Sequence, residues 1–118
     1  MNKKNVLHPS MIDSSITLEA LGIDELAWRF EDVHHVIDYL VDNGYAILGG
    51  DVYSLLGNEI NSTYDGWYLD RDVIVTWNNY MVQSKVFAHE YINSYHTKNG
   101  EHYCYSLVYS KERSDSKE

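Results

Sequence analysis

The chain has few cysteines, few basic residues and no long apolar run, and each shortage excludes a class of protein. Because Cys104 is the one cysteine among 118 residues, no disulfide or cysteine metal cluster can form within the chain, which suits a reducing compartment. Apolar runs stay short of the ~18 residues that a membrane span requires, and the N-terminal residues lack the apolar stretch of a signal peptide. We therefore expect a cytoplasmic protein with no membrane partner.

The charge balance narrows the class of partner. Nine Lys and Arg residues against eighteen Asp and Glu residues give a net charge of −9. Direct binding to nucleic acid requires basic groups that neutralise phosphates, and this chain is poorly equipped for that. An acidic surface instead speeds the encounter with a basic protein, although acidity also occurs for solubility alone.

Apolar residues at helical spacing predict three helices. They cover residues 10–21, 31–43 and 77–96. Gly22 and Gly44 are stop signals for the first two, and Thr76 caps the third.

Short apolar or alternating segments between these helices predict strands. They cover residues 25–29, 45–48, 51–56, 59–64 and 102–109, with a Gly57-Asn58 hairpin between the third and fourth. The pattern predicts an α+β domain over residues 1–109, with a mainly antiparallel sheet of about 4–5 strands and three helices largely on one face. Residues 110–118 form a polar tail. The Tyr-rich last strand is a candidate sheet edge for pairing with a second copy, so monomer and weak dimer both stay open.

Signatures of catalysis and of cofactor binding are missing from the sequence. His34 and Asp38 lie at i, i+4 with His35 beside them, a spacing that suits a metal or a proton relay, but a hydrogen bond on the solvent face is the favoured interpretation. Gly49-Gly50 is more typical of a bend or bulge than of a ligand site. We predict no catalysis, no metal and no cofactor.

Residues 63–72, TYDGWYLDRD, are the densest candidate for recognition. Tyr64, Trp67 and Tyr68 belong to the residue types enriched at binding hot spots. Aspartates surround them, and Asp65-Gly66 predicts a turn that presents the aromatic side chains from a loop. The alternative is that Trp67 and Tyr68 fill the core beneath this turn.

Two stretches resemble the immunity protein 40 family of bacterial polymorphic toxin systems. They are ELAWRFEDVHHVIDYLVDNGYAILGGDVY, residues 25–53, and TYDGWY, residues 63–68. Nine residues stand at positions of the family motifs: Trp28, Gly49, Gly50, Asp51, Tyr53, Tyr64, Asp65, Trp67 and Tyr68. The resemblance implies a protein made beside a toxin gene, as in contact-dependent growth inhibition, that protects the producing cell by binding the toxin domain without catalysis.

The resulting hypothesis is an immunity protein that occludes a cognate, basic toxin domain, with a nuclease as one candidate toxin. Candidate toxin-binding residues are Asp51, Tyr64, Asp65, Trp67, Tyr68, Asp70 and Asp72. The alternatives are a small hydrolase or transferase that uses Asp51, Asp65 and a histidine, and an acidic regulatory module that binds another protein.

Overall fold

The computed structural model describes residues 6–72 and 75–112, and within them five strands form one antiparallel sheet. The strands are β1 (Ile16–Thr17), β2 (Leu26–Arg29), β3 (Tyr45–Leu56), β4 (Glu59–Tyr68) and β5 (Tyr103–Lys111). Their order across the sheet is β1-β2-β5-β3-β4, and each neighbouring pair is antiparallel. The helices are α1 (Pro9–Asp13), α2 (Phe30–Asp42) and α3 (Trp77–Asn99). The α+β prediction is confirmed.

Helices α2 and α3 form as predicted, within three residues of the expected ends, and pack against one face of the sheet. The core on this face includes Val33, Val36, Ile37 and Leu40 from α2, and Ala88 and Ile92 from α3. The Thr76 side chain caps α3 by accepting a hydrogen bond from the Asn79 amide at 3.2 Å. Fully buried Ser84 accepts one from the backbone amide of Ile47 at 2.9 Å, which joins α3 to β3.

The first predicted helix is wrong. In place of one helix over residues 10–21 the chain forms α1, then β1, then a short 3₁₀ helix over Glu19–Leu21 that ends at Gly22 in the left-handed region, with φ of 75°. The hydroxyls of Ser14 and Ser15 bond back to carbonyls three residues earlier, which competes with continuing the helix. Leu18, fully buried, then packs on the other face of the sheet.

The two strands predicted on either side of Gly49-Gly50 are one continuous strand, β3, with an irregularity in its pairing to β5 between Ile47 and Gly49. A β-carbon on Gly50 would collide with the Ser106 carbonyl oxygen and the Trp67 ring. The structural interpretation of this glycine pair is therefore confirmed, and its cause is close packing across three strands.

Strand β5 lies inside the sheet, between β2 and β3, so the prediction that it is a sheet edge is wrong. Its Tyr105 is fully buried, because helices cover one face of the sheet and neighbouring strands flank both sides of β5. Ser110 and Lys111, at the start of the predicted polar tail, continue the strand by pairing with Ala46 and Tyr45. Residues 113–118 of that tail lie outside the described residues.

Candidate functional site

Strand β4 contains a bulge where the sequence predicts a loop. The strand continues to Tyr68, and the predicted turn at Asp65-Gly66 is wrong, because Gly66 pairs with Asp51 of β3. Between this pair and the pair of Tyr53 with Ser62, residues 63–65 lie opposite the single residue Val52. Two extra residues therefore push the backbone of β4 outwards.

Side chains of the bulge bond to its own backbone and hold its shape. The Thr63 hydroxyl donates to the Val52 carbonyl oxygen at 2.8 Å and accepts from the Asp65 amide at 3.1 Å. The Ser62 hydroxyl accepts from the Tyr64 amide at 3.1 Å. Small hydroxyl side chains thus satisfy backbone groups that the interrupted ladder leaves free.

Among the residues that the structure describes, Tyr64 is the one non-glycine residue with a positive φ, 66°, and it is 94% exposed. A left-handed backbone is a costly conformation for a bulky residue. Since the ring lies in solvent, packing of the ring does not repay this cost. The hydrogen bonds of the bulge therefore present an aromatic side chain to solvent at an energetic cost.

Two carboxylates lie beside this bulge. Asp65 accepts a hydrogen bond from the Tyr95 hydroxyl of α3 at 2.9 Å, and Asp51 lies opposite Gly66. Burial, followed by the hydrogen bond to Asp65, raises the pKa of Tyr95 to about 12, so the phenol stays protonated and keeps donating near neutral pH. Both aspartate residues are exposed. Burial is the main cause that raises the pKa of Tyr91, and the negative charges of the two aspartates raise it further.

Trp67 points inwards and takes the core role that the sequence left as an alternative. It is 8% exposed, its ring lies over Gly50, and its centroid is 4.9 Å from that of Tyr91 on α3. Trp67 therefore fixes β4 against α3 while its neighbours along the strand face solvent.

Beyond Trp67 the surface becomes apolar. Tyr68 is 65% exposed, and next to it Leu69 lines a shallow groove of about 360 Å³ with the outer side of α3. The apolar lining from α3 is Val82, Val86 and Phe87, all exposed, and Glu90 adds a negative charge. We call the set formed by Tyr64, Asp65, Tyr68, Leu69, Val82, Val86, Phe87 and Glu90 the β4–α3 surface.

Sequence reasoning missed the α3 part of this surface. Val82 and Val86 lie at i, i+4 outside the predicted core side of α3, and that spacing on a solvent face was the available signal.

Near the end of the segment predicted for recognition, Leu69 and Arg71 form hydrogen bonds with other residues of the chain. The Tyr80 hydroxyl donates to the Leu69 carbonyl oxygen at 2.6 Å. Burial is the main cause that raises the pKa of Tyr80, and the negative charge of Asp70 raises it further. The Arg71 guanidinium donates to the Val75 carbonyl oxygen and lies 5.3 Å from the Trp77 ring centroid, so its charge is used within the loop. Asp72 is exposed.

The groups required by the enzymatic alternative lie on different sides of α3. Asp51 and Asp65 flank Tyr91, whereas His89, two positions earlier and so on nearly the opposite side of the helix, contacts α2. His34 and Asp38 also face α3 there, so the prediction that they point to solvent is wrong; each of them contacts His89. A site that combines these acids with His34 or His89 is not assembled.

Other chemistry finds little support within residues 6–72 and 75–112. Burial raises the pKa of Cys104 to about 11, as expected for an inert thiol. No set of three or more His, Cys, Asp or Glu side chains in this part of the chain could hold a metal ion. Among the described helices, none has the length and apolar character needed to cross a membrane.

Exposed aromatic side chains such as Tyr64 and Tyr68 are of the residue types enriched where a domain binds another protein. The family comparison identifies which kind of domain it is: the model of Immunity protein 40 matches residues 17–109, and the chain belongs to this family. Its general role is therefore to neutralise a toxin protein. Neither the curated proteins nor the solved structures gave a significant match.

Proposed function

We propose that this chain neutralises its cognate toxin by direct occlusion, using the β4–α3 surface and no catalysis of its own. The observation that carries the proposal is Tyr64, a 94% exposed aromatic residue held at positive φ by hydrogen bonds within the bulge. Conformational strain of this kind is concentrated at functional sites, because folding stability alone would remove it.

The composition of the surface supports a specific mode of binding. Tyr64 and Tyr68 supply large side chains that lose little conformational entropy on binding, and the groove beside Leu69 offers apolar area for a protruding side chain of the toxin. Glu90 lines this groove and Asp65 follows Tyr64 in the bulge, and both are exposed. The toxin surface that fits them is apolar in its centre and carries Lys or Arg at its rim.

The net charge of −9 extends this complementarity over the whole protein. A basic toxin, such as a nuclease with a cleft for phosphates, would be attracted at long range and then covered. In this proposal the gene of this chain lies beside the toxin gene, and the two proteins bind in the cytoplasm of the producing cell. Of the predicted aspartates, Asp65 belongs to the β4–α3 surface, and Asp51 lies beside it on β3, opposite Gly66. Trp67 packs beneath this surface.

The test is the affinity for the toxin domain encoded beside this chain, measured by calorimetry with Tyr64→Ala. Loss of a central aromatic contact typically costs about 2 kcal/mol, so the dissociation constant is expected to rise ~30-fold. The matched control is Leu56→Ala, which removes an exposed apolar side chain, 58% accessible, at the β3–β4 hairpin on the same strand pair.

The two variants distinguish whether the protein binds the toxin from whether it does so through the β4–α3 surface. A tight wild-type complex that Tyr64→Ala weakens and Leu56→Ala leaves unchanged supports both the occlusion and the site. A tight complex that neither variant weakens would place the interface elsewhere on the chain. Absence of a complex, with toxicity undiminished, would overturn binding to this toxin itself.

A further inference from the structure

Three polar side chains connect α2 to α3 on the side of α3 that faces away from β4. His34 Nδ1 on α2 lies 2.5 Å from His89 Nδ1 on α3, and His89 Nε2 lies 2.8 Å from Asp38 Oδ1, again on α2. His89 thus bridges two residues one helical turn apart on the facing helix. This cluster lies outside the β4–α3 surface proposed for toxin binding.

The two imidazole rings meet edge to edge rather than face to face. Their planes are 21° apart and their centroids are 4.8 Å apart, a distance equal to the Nδ1–Nδ1 separation plus one ring radius on each side. Both Nδ1 atoms therefore lie on the line that joins the centroids. Such an axis suits one N–H···N hydrogen bond, whereas a bridging zinc ion on this line would require the nitrogens about 4 Å apart.

The axis between the nitrogens has room for one hydrogen atom. Because His89 Nε2 faces the Asp38 carboxylate, it is the protonated nitrogen of that ring, and His89 Nδ1 accepts. His34 Nδ1 is then the donor. The remaining nitrogen, His34 Nε2, is buried. If both imidazoles were fully protonated, two N–H groups would point at each other along this axis.

We propose that His34, His89 and Asp38 form a proton-sensitive clasp that strengthens the packing of α2 against α3 while the two imidazoles share one hydrogen between their Nδ1 atoms, and that loses this hydrogen bond when both Nδ1 atoms carry a proton.

The surrounding groups determine how the clasp responds to pH. Burial, then the charge of His89, lowers the pKa of His34, with a smaller lowering from His35 on the same helix. The charge of Asp38 and a side-chain hydrogen bond with Asn93 of α3 oppose this lowering. Burial opposes ionisation of Asp38, but His89 and then Lys85, at 3.6 Å, keep its pKa below the usual value. Phe30 of α2 packs edge-on against His34 and is stacked on His96 of α3.

The sign of the effect follows from the direction of the His34 shift. The folded state binds this proton less tightly than the unfolded state does, so the stabilisation is complete above the ordinary histidine pKa of about 6.5 and is lost as the pH falls below it. Asp38 adds to the loss only at lower pH, where its carboxylate takes up a proton.

Two measurements on the full chain test the clasp. Nitrogen NMR of the ¹⁵N-labelled protein at pH 7.5 should show scalar coupling between His34 Nδ1 and His89 Nδ1 across the hydrogen bond, and the coupling should disappear near pH 5. Denaturant unfolding between pH 8 and pH 5 should show the unfolding equilibrium constant rising several-fold more in the wild type than in His34→Asn, whose amide donates from the position of Nδ1 but does not titrate. The control is His102→Asn, an exposed histidine before β5.

The outcomes decide the proposal. Coupling at pH 7.5 together with a flatter pH profile in His34→Asn, but not in His102→Asn, supports it. Absence of the coupling at pH 7.5, or pH profiles of the same slope in wild type and His34→Asn, would overturn it. A rise in melting temperature on adding zinc at pH 7.5, lost in His34→Asn, would also overturn it in favour of a metal bridge. None of these results depends on toxin binding.

Discussion

Tyr64 and Trp67 stand three residues apart on β4, yet one side chain is 94% exposed and the other 8%. Trp67 fills the space above Gly50 and stacks on Tyr91, so it joins the strand to the helix layer. Tyr64 is held by its backbone alone, through the hydroxyls of Ser62 and Thr63. The same short motif therefore contains one aromatic residue that stabilises the fold and one that costs stability.

The strongest test of this difference is Trp67→Ala. Removal of a buried indole is expected to lower the free energy of unfolding by about 3–5 kcal/mol, because the space over Gly50 is left empty. Denaturant unfolding measures it directly, with Tyr64→Ala as the partner variant. If Tyr64→Ala destabilised the protein as much, the division of roles between the two residues would be wrong.

A finer test is Tyr64→Asn. Asparagine adopts the left-handed region more easily than tyrosine does, so the free energy of unfolding is expected to rise by about 1 kcal/mol. The affinity for the toxin is expected to fall at the same time, since the aromatic contact is lost. Thermal unfolding and calorimetry of the same preparation compare the two effects, and a variant that is both less stable and unchanged in affinity would contradict the role of Tyr64.

The smallest expected effect is that of Tyr95→Phe. This change removes one hydroxyl that orients Asp65 and leaves the ring contacts with Tyr103 and Tyr105 in place. A hydrogen bond to a charged group typically contributes about 1.5–3 kcal/mol, and much less is expected here because Asp65 is exposed and solvent screens its charge. Slower association with the toxin and nearly unchanged stability would place Asp65 in the interface. Unchanged association kinetics would remove it from there.

Local sequence signals predicted the elements that local interactions control. Helix α2 has its apolar stripe at helical spacing, and Thr76 marks the start of α3 by its capping hydroxyl. The helix predicted over residues 10–21 is wrong because apolar residues at helical spacing do not reveal that Leu18 packs on the far face of the sheet.

The candidate site was predictable in composition but not in arrangement. The aromatic and acidic content of residues 63–72 pointed to recognition, but the bulge depends on how β4 pairs with β3, which is a contact between distant residues. The α3 part of the surface and the contact of His34 with His89 also arise from tertiary packing. Spacing within one helix cannot show such contacts.

The bulge in β4 has a further consequence for the protein before it meets its toxin. A long, straight outer strand offers a row of open amides and carbonyls on which another chain can add a strand, and this is a common route to aggregation. Residues 63–65 interrupt that row near its middle, and at the opposite border of the sheet β1 has only two residues. Copies of the free protein are therefore expected to be less prone to polymerise through their sheets.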